Sequence, residues 1–451
     1  GYIKQAFIVA LSFIIVGCST PPEPISSVLP LTKSQLVELP NAQVVVTFPE
    51  VNPSSRFYVN NRGTFKAYKG RGQLLIQNHN AQSADIYINN QKLDVNQLSA
   101  NTLYNYSLAK NTHNGVNTFK VENILPAGAS LTLRFAFPTL SDEPKKHIDF
   151  NEVDTLIERD VKAGFPGAVL AVVKNGELIK LTAYGDAKQY QQSDLMLLRP
   201  EPMQTNTLFD LASNTKIFAT NFALMKLVSE GLLNINKPVQ SYLSEYKGEG
   251  RAKRTVKALL THSAGSPPVF DFHRKDGSYG DAFYSQNSKT TKELLLTSVP
   301  FSNKSSGQHV YSDIDYMILG VLIERITGQP LDEYLEQQVY APLKLTNTLF
   351  NPLKKGFKPQ QFAATELSGN TRDGRIKFDN VRTSVLQGQV HDERAYYSLD
   401  GVAGHAGLFS NAHDLAVLCQ LLLNNGGYGD QQLFSASALA QFLTPQSSDE
   451  T

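Results

Sequence analysis

The pattern of apolar residues changes near residue 147, and this change constrains the fold more than any other feature of the sequence. Between residues 41 and 140 the apolar runs are short, several alternate with polar residues, and Asn and Gly clusters separate them. Such runs are typical of antiparallel strands, so we expect a β-sandwich over residues 41–142. After residue 147, helical and alternating segments are mixed, which predicts an α+β domain over residues 147–451.

The second region opens with a hairpin and continues with helices. Alternating segments stand on both sides of Asn175 and Gly176, a dipeptide that favours a tight turn between two strands. Apolar residues then recur at helical spacing. We expect helices at 216–230, 255–261, 313–327 and 331–338.

The first 18 residues predict a secretion signal that is not part of the fold. Lys4 precedes a mostly apolar stretch that is too short to span a membrane, and a small residue stands before Cys18. Residues 19–40 are rich in Pro and Ser and predict a tether. The net charge is +1 and no basic block carries interleaved aromatic residues, which argues against a nucleic-acid partner.

Residues 15–18, "IVGC", resemble the lipobox of bacterial lipoproteins. This resemblance implies that Cys18 is lipidated and becomes the mature N-terminus, so that a lipid anchors a periplasmic protein to a membrane. Ser19 stands where an aspartate would resemble the inner-membrane retention signal, which favours the outer membrane. The alternative is an ordinary signal peptide that ends at a chance cysteine.

The pattern Ser-x-x-Lys occurs three times, starting at Ser107, Ser213 and Ser244. Ser107 lies in the predicted β region and Ser244 in a predicted loop, whereas Ser213 opens a long amphipathic helix. Residues three apart share one helix face, and a serine becomes a nucleophile when an adjacent base takes its proton. We therefore predict Ser213 as a nucleophile and Lys216 as its base.

A second candidate group stands ahead of another apolar helix. Tyr311, Ser312 and Asp313 lie in a loop directly before the predicted helix 313–327. A loop that leads into a buried helix is positioned by a rigid scaffold. We expect Tyr311 to pass a proton to the leaving group.

Several ordered segments resemble one enzyme superfamily. The chain contains, in this order, "LASNTK", "TVKALLTHSAGSP", "YSDIDYMILG", "APLKLTNTLF" and "GHAGLFSNAHDLAVL". These segments resemble the serine β-lactamase and penicillin-binding protein superfamily, and within it the class C-like branch. "TELSGNTRDG" and "QVHDERA" are similar to the penicillin-binding protein 4B type of D-alanyl-D-alanine carboxypeptidase. The resemblance covers residues 150–451 and implies a β-lactamase/transpeptidase-like fold, with an antiparallel sheet and a helical subdomain.

The resemblance also implies roles for the candidate residues. Ser213 is the nucleophile that becomes acylated, and its backbone N–H supplies half of an oxyanion hole. Lys216 is the base or proton shuttle, and Tyr311 relays a proton toward the leaving amine. The implied substrate is the D-Ala-D-Ala end of a peptidoglycan stem peptide, and β-lactam antibiotics acylate the same serine. Neither a metal nor an organic cofactor is implied.

Two positions depart from the family pattern. The usual Tyr-x-Asn is Tyr-Ser-Asp here, and we expect Asp313 to lie on the substrate-binding side of the site. A carboxylate near Lys216 favours the charged ammonium, which weakens Lys216 as a base and shifts that role toward Tyr311. The family's third motif is Lys-Thr-Gly or His-x-Gly on an inner strand. "GHAG" at 404–407 leads directly into a predicted helix, so we expect the third-motif strand to lie beyond residue 451. The alternative is that His405 belongs to the third motif.

Other functions and sites stay open as alternatives. An esterase or a β-lactamase would use the same residues, and a non-catalytic envelope protein would use the β-sandwich to bind a glycan or a partner. We expect His262 to be a hydrogen-bonded turn residue and Cys419 a buried structural thiol. "QVHDERA" is expected to be a loop near the site, and its adjacent residues at 391–393 are not expected to bind a metal.

Overall fold

A computed structural model gives the structure of the chain. It describes residues 27–30, 42–48, 61–95, 97–142, 149–277, 279–302 and 307–446. The predicted secretion signal with Cys18 lies outside the described residues. The chain divides into two compact units: the first comprises Gly1–Glu143, Val173–Leu178 and Cys419–Leu433, and the second comprises Pro144–Val172, Ile179–Leu418 and Phe434–Thr451. Within the described ranges, no helix combines the length and the apolar character that a membrane span requires.

Antiparallel strands build the first unit. They are β1 (Ser27–Pro30), β2 (Val44–Phe48), β3 (Arg62–Ala67), β4 (Gln73–Asn78), β5 (Ser83–Ile88), β6 (Gln91–Lys92), β7 (Thr102–Ser107), β8 (Gly115–Leu125) and β9 (Leu131–Phe135). One sheet has the order β1-β7-β4-β9-β2, and the other has the order β3-β8-β5-β6. The predicted all-β character of residues 41–142 is confirmed, whereas the prediction of a tether over residues 19–40 is wrong at β1, which pairs with β7.

The two sheets share one apolar core. Along β5 the residues alternate between half-buried and buried, which is the period of a strand with one face in a core. The ring of Phe135, on β9 of the first sheet, lies 4.2 Å from the ring of Phe65 and 4.8 Å from that of Phe119, which belong to the second sheet. Burial of such large rings is the main stabilising contribution here, at about 1.5–3 kcal/mol each.

The remaining part of the chain mixes helices and strands. The strands are β10 (Gly167–Lys174), β11 (Glu177–Gln192), β12 (Leu195–Pro202), β13 (Phe209–Asp210), β14 (Leu349–Phe350), β15 (Ala364–Glu366), β16 (Leu386–Gln387), β17 (Leu408–Ser410), β18 (Gly427–Tyr428) and β19 (Gln431–Gln432). The α-helices are α1 (Asn151–Lys162), α2 (Phe222–Ser229), α3 (Val256–Leu260), α4 (Ser288–Thr297), α5 (Asp313–Thr327), α6 (Leu331–Leu335), α7 (Ala412–Leu423) and α8 (Ala436–Leu443).

These strands form small sheets. Their orders are β10-β11-β12, β13-β17-β14, β15-β16 and β18-β19. The turn between β10 and β11 has positive φ at Asn175 (49°) and Gly176 (68°), as a two-residue turn between twisted strands requires. The predicted hairpin is therefore confirmed, and the fold is α+β as predicted.

Helix α5 is a deeply buried helix that begins at the candidate residues. Ser312 caps its first turn by accepting the N–H of Asp315 at 3.3 Å, and Gly328 ends it in the left-handed region. Every residue from 314 to 323 is buried, and α5 packs against α3 and α4. The prediction of a helix at 313–327 is confirmed to the residue.

The helix predicted at 216–230 has a different start. Ala212–Asn214 forms a single 3-10 turn, Lys216–Asn221 is π-helical, and α-helical bonding begins only at Phe222. The wider π-helical turn includes Thr220, whose hydroxyl donates to the carbonyl of Gly404 at 2.6 Å. "GHAG" also does not lead directly into a helix, because β17 lies between it and α7.

Candidate active site

Ser213 stands on a short, strained turn between β13 and the π-helical segment. Ala212, directly before it, has φ +48°, a value that costs about 1–2 kcal/mol for a residue with a side chain. Two hydrogen bonds hold this turn: the N–H of Ala212 donates to Asp210 Oδ1 at 2.7 Å, and the N–H of Leu211 donates to the carbonyl of Leu408 at 2.9 Å. Ser213 itself is exposed to solvent.

The Lys216 side chain is buried directly beneath Ser213. Its Nζ lies 3.0 Å from Ser213 Oγ, 2.8 Å from Asp313 Oδ1 and 3.2 Å from the carbonyl oxygen of His405. An ammonium has three N–H donors, and three acceptors surround this one. The geometry therefore fits a charged lysine in the resting protein.

Tyr311 and Asp313 reach the same place from the start of α5. The ring centroid of Tyr311 lies 4.7 Å from Lys216 Nζ, within the range of a cation–π contact. The N–H of Asp313 donates to the carbonyl of Pro268 at 2.9 Å, which fixes the first residue of the helix. The structure thus brings Ser213, Lys216, Tyr311 and Asp313 together, whereas Cys18 lies outside the described residues.

His405 contacts Lys216 through its backbone, and its side chain faces a different partner. The imidazole Nε2 lies 2.7 Å from Asp392 Oδ1, and His405 is 1% exposed. A side chain so enclosed is not available to a substrate carboxylate. This agrees with the expectation that His405 is not the third motif.

Sequence reasoning did not identify Asp392 as a neighbour of the candidate site. Burial by itself raises the pKa of Asp392, but the positive field of His405 and Arg394 outweighs burial and holds this pKa well below its usual value. Arg394 in turn pairs with Asp271 at 2.7 Å. The signal in the sequence was the "QVHDERA" segment, which we expected near the site without assigning a contact.

Asp210 connects the same loop to the nucleophile turn. Its Oδ2 accepts the N–H of His391 at 2.8 Å, while its Oδ1 holds Ala212. Burial raises the pKa of Asp210, and the two backbone N–H donors oppose this increase. A single carboxyl group therefore links the residue before Ser213 to the loop that carries Asp392.

One group of side chains in the described part of the chain has the composition of a metal site. Ligand atoms of Asp313, Asp392 and His405 lie within 4.8 Å of one another. However, Asp313 is paired with Lys216, and Asp392 is paired with His405. The arrangement is better described as an ion-pair network beneath Ser213 than as a metal-binding cluster.

The other two Ser-x-x-Lys copies lack these surroundings. Ser107 is the last residue of β7, and Ser244 is exposed in a loop. Only at Ser213 does the lysine of the pattern donate a hydrogen bond to the serine hydroxyl among the described contacts. Of the three copies, Ser213 is therefore the serine with an adjacent buried amine, which is the arrangement that acyl transfer requires.

Known proteins match most of this second region. The sequence profile of the Beta-lactamase family matches residues 153–450. The N-acetylmuramyl-L-alanine amidase of Bacillus subtilis (strain 168) is 53% identical over 308 residues, which is 66% of this chain and 68% of that protein. A protein of Escherichia coli O157:H7, provisionally named D-alanyl-D-alanine carboxypeptidase, is 47% identical over 326 residues, which is 70% of this chain and 74% of that protein.

A solved structure also resembles the chain. The octameric penicillin-binding protein homologue from Pyrococcus abyssi aligns with a TM-score of 0.49 and 20% identity, covering 65% of this chain and 59% of that one. The profile match spans well over half of the residues and includes every candidate residue from Ser213 to His405. The chain therefore belongs to the Beta-lactamase family.

Proposed function

We propose that this protein is a serine hydrolase that cleaves an amide bond of peptidoglycan through an acyl-enzyme at Ser213. The observation that carries the proposal is the 3.0 Å contact between Ser213 Oγ and the buried Lys216 Nζ. A serine hydroxyl is a weak nucleophile unless a neighbouring group removes its proton, and a lysine can do so once it is deprotonated. The exposure of Ser213 supports access by a large substrate.

The proposed reaction has two steps, acylation of Ser213 and hydrolysis of the acyl-enzyme. In the first step Ser213 Oγ attacks the amide carbonyl carbon, and its proton passes through Lys216 and Tyr311 to the nitrogen that leaves as an amine. The backbone N–H of Ser213 is one donor to the oxygen that becomes negative. In the second step a water molecule attacks the ester, releases the carboxylic acid and restores the Ser213 hydroxyl.

We propose the D-Ala-D-Ala end of a stem peptide as the first candidate substrate. The relatives from Escherichia coli, provisionally named D-alanyl-D-alanine carboxypeptidases, support this choice. A β-lactam ring presents a strained amide to the same serine, so penicillins would acylate Ser213.

A second candidate is the amide that joins the muramyl lactyl group to L-alanine. The Bacillus subtilis relative, at 53% identity, is named for that reaction. Both candidates are amide hydrolyses and need the same nucleophile and proton transfers, so the residues beneath Ser213 serve either one. The substrate assay must therefore report which bond breaks.

One substrate distinguishes the two reactions. Muramyl pentapeptide ending in D-Ala-D-Ala is incubated with the protein, and the products are identified by mass. Release of D-alanine identifies the carboxypeptidase, whereas release of an intact pentapeptide identifies the muramyl amidase. Cleavage of neither bond, together with no acylation by penicillin, would contradict the proposed function.

Fluorescent penicillin tests the nucleophile directly. We expect labelling of the wild-type protein and loss of labelling in Ser213→Ala. Ser244→Ala is the matched control because Ser244 begins another Ser-x-x-Lys pattern and lies exposed in a loop. Its labelling should equal that of the wild type.

We further propose that the protein faces the periplasm and is held at the outer membrane by a lipid on Cys18. The lipobox-like residues 15–18 support this location, and the proposed substrate is found there. Metabolic labelling with a fatty acid should mark the wild type and fail to mark Cys18→Ala. Lipid incorporation into Cys18→Ala would contradict the anchor.

A further inference from the structure

His262 binds the chain on both sides of Tyr311. Its carbonyl oxygen accepts the N–H of Val310 at 2.8 Å, and its Nδ1 accepts the N–H of Ser312 at 3.1 Å. Its imidazole ring also lies 4.6 Å from the ring of Tyr311, measured between centroids. One residue therefore contacts Tyr311 and fixes the backbone immediately before and after it.

His262 adopts an uncommon backbone conformation to make these contacts. Its φ is +56°, in the left-handed region that residues other than glycine rarely occupy. Such a conformation persists only where the surrounding contacts determine it strongly. His262 is 8% exposed, so its hydrogen bonds are made in a largely dry environment and their loss is costly.

Asp315 supports the imidazole from within α5. Its side chain is completely buried, and its Oδ2 lies 3.2 Å from His262 Nδ1. Burial raises the pKa of Asp315, while His262, Ser266 and Arg254 oppose this increase. The same nitrogen accepts the N–H of Ser312, so Asp315 holds the imidazole in the orientation in which it meets the residue after Tyr311.

Further bonds attach the same loop to the residues that follow His262. Ser312 Oγ donates to the carbonyl of Pro267 at 2.7 Å, and the N–H of Asp313 donates to the carbonyl of Pro268 at 2.9 Å. These bonds hold the start of α5. His262 accepts the backbone N–H groups of Val310 and Ser312, the residues on either side of Tyr311.

We propose that His262 is a positioning residue that holds the Tyr311 phenol beside Lys216 and so permits proton transfer during acylation. The proposal rests on the proposed function, in which Tyr311 carries a proton. A purely structural His262 would stabilise the fold without a specific effect on the acylation rate. The two roles predict different results for two replacements of the same side chain.

His262→Phe and His262→Asn separate the hydrogen bond from the volume of the ring. Phenylalanine keeps a ring against Tyr311 but has no acceptor for the Ser312 N–H. Asparagine has an amide oxygen that can accept this N–H, and it tolerates positive φ. His262→Leu, which also lacks an acceptor, replaces the Phe variant if that protein does not fold.

The first measurement is the rate constant of acylation by penicillin. We expect His262→Phe to acylate at least about tenfold more slowly than the wild type, since a small displacement of a reacting group is enough for such a loss. His262→Asn should stay within about threefold of the wild type. Equal rates in the two variants, whether both fast or both slow, would overturn the proposal.

A double-mutant cycle tests whether His262 acts through Tyr311. If it does, His262→Phe should slow acylation in the wild-type background and have little further effect in a Tyr311→Phe background. If the factors by which the two substitutions slow acylation instead multiply in the double variant, His262 acts by another route and the proposal is overturned.

Hydrogen exchange tests the positioning without relying on activity. We expect the Ser312 amide to exchange faster in His262→Phe and to keep its protection in His262→Asn. If wild-type protein neither reacts with penicillin nor cleaves muramyl pentapeptide, the proposed function fails, while the exchange result still decides whether His262 holds this loop. Unchanged protection in His262→Phe would overturn the positioning role.

Discussion

Lys216 Nζ donates to Asp313 Oδ1 over 2.8 Å, and both side chains are largely buried. A carboxylate at this distance favours the charged ammonium, because opposite charges attract strongly where water is scarce. The same nitrogen also lies 3.0 Å from Ser213 Oγ. The residue that stands where the family has asparagine therefore influences the group that contacts the nucleophile.

Replacing Asp313 by Asn should make acylation less sensitive to acid. Asparagine keeps the shape of the side chain but carries no charge, so the attraction between position 313 and Lys216 Nζ is lost. We expect the acidic limb of the pH–rate profile for acylation by penicillin to move to lower pH. An unmoved acidic limb would contradict this role of Asp313.

Glu230→Gln is the control for that experiment. Glu230 forms an ion pair with Lys226 at 3.0 Å, and its side chain is 43% exposed. Removing the charge of an exposed pair has little effect on stability or on distant groups. The pH–rate profile of this variant should match that of the wild type.

Asp392→Asn should destabilise the protein at neutral pH. The substitution leaves buried His405 without its anionic partner, and loss of one member of a buried pair costs about 3–5 kcal/mol. Because the folded-state pKa of Asp392 lies below its unfolded value of about 3.9, the stabilisation is complete above about pH 5. The free energies of unfolding of the wild type and the variant, measured by denaturant melts, should therefore differ by the same amount at pH 7 and pH 5. The two values should converge as the pH falls below about 4. A difference that widens in acid would contradict this assignment.

The sequence allowed prediction of those elements whose signals are local. Helix α5 has a serine cap and a terminating glycine, so both ends were predictable from residues 312 and 328. The serine of "SNTK" could be separated from the other copies by the apolar period that follows it. Tyr311 could be singled out because it stands in a loop that leads into a buried helix, and its role beside Ser213 was implied by the family resemblance.

Other features depend on contacts between distant parts of the chain. The ion pair between Asp392 and His405 joins two loops, and no periodicity in either loop specifies it. The π-helical start of the segment at 216–221 includes Thr220, whose hydroxyl bonds the carbonyl of Gly404. A hydrophobic pattern does not distinguish this wider turn from an α-helical one.

Cys419 should react slowly with thiol reagents in the folded protein. Cys419 is half-buried and not fully buried as predicted, and desolvation raises the pKa of its thiol to about 11. Since the thiolate is the reactive form, only about one molecule in a thousand is reactive at pH 8. The reaction rate should rise with pH up to about 11, and denaturant should accelerate it strongly at pH 8. Cys18→Ala removes the other cysteine, and fast labelling of that folded variant at pH 8 would contradict the prediction.

Gly404→Ala should impair both folding and acylation, because Gly404 lies against the backbone of α5. A Cβ at this position would overlap the carbonyl oxygen of Tyr316 and lie 3.0 Å from the nitrogen of Gly320. The segment must then move away from α5 and take with it the carbonyl of His405, which accepts from Lys216 at 3.2 Å. We expect a loss of about 2–4 kcal/mol in stability and, in the protein that still folds, acylation at least about tenfold slower.

Gly231→Ala is the control, since it has φ +73° but no atom within 4 Å of the added Cβ and costs only about 1–2 kcal/mol of backbone strain. Acylation by penicillin at the wild-type rate in Gly404→Ala would show that the His405 carbonyl does not orient Lys216.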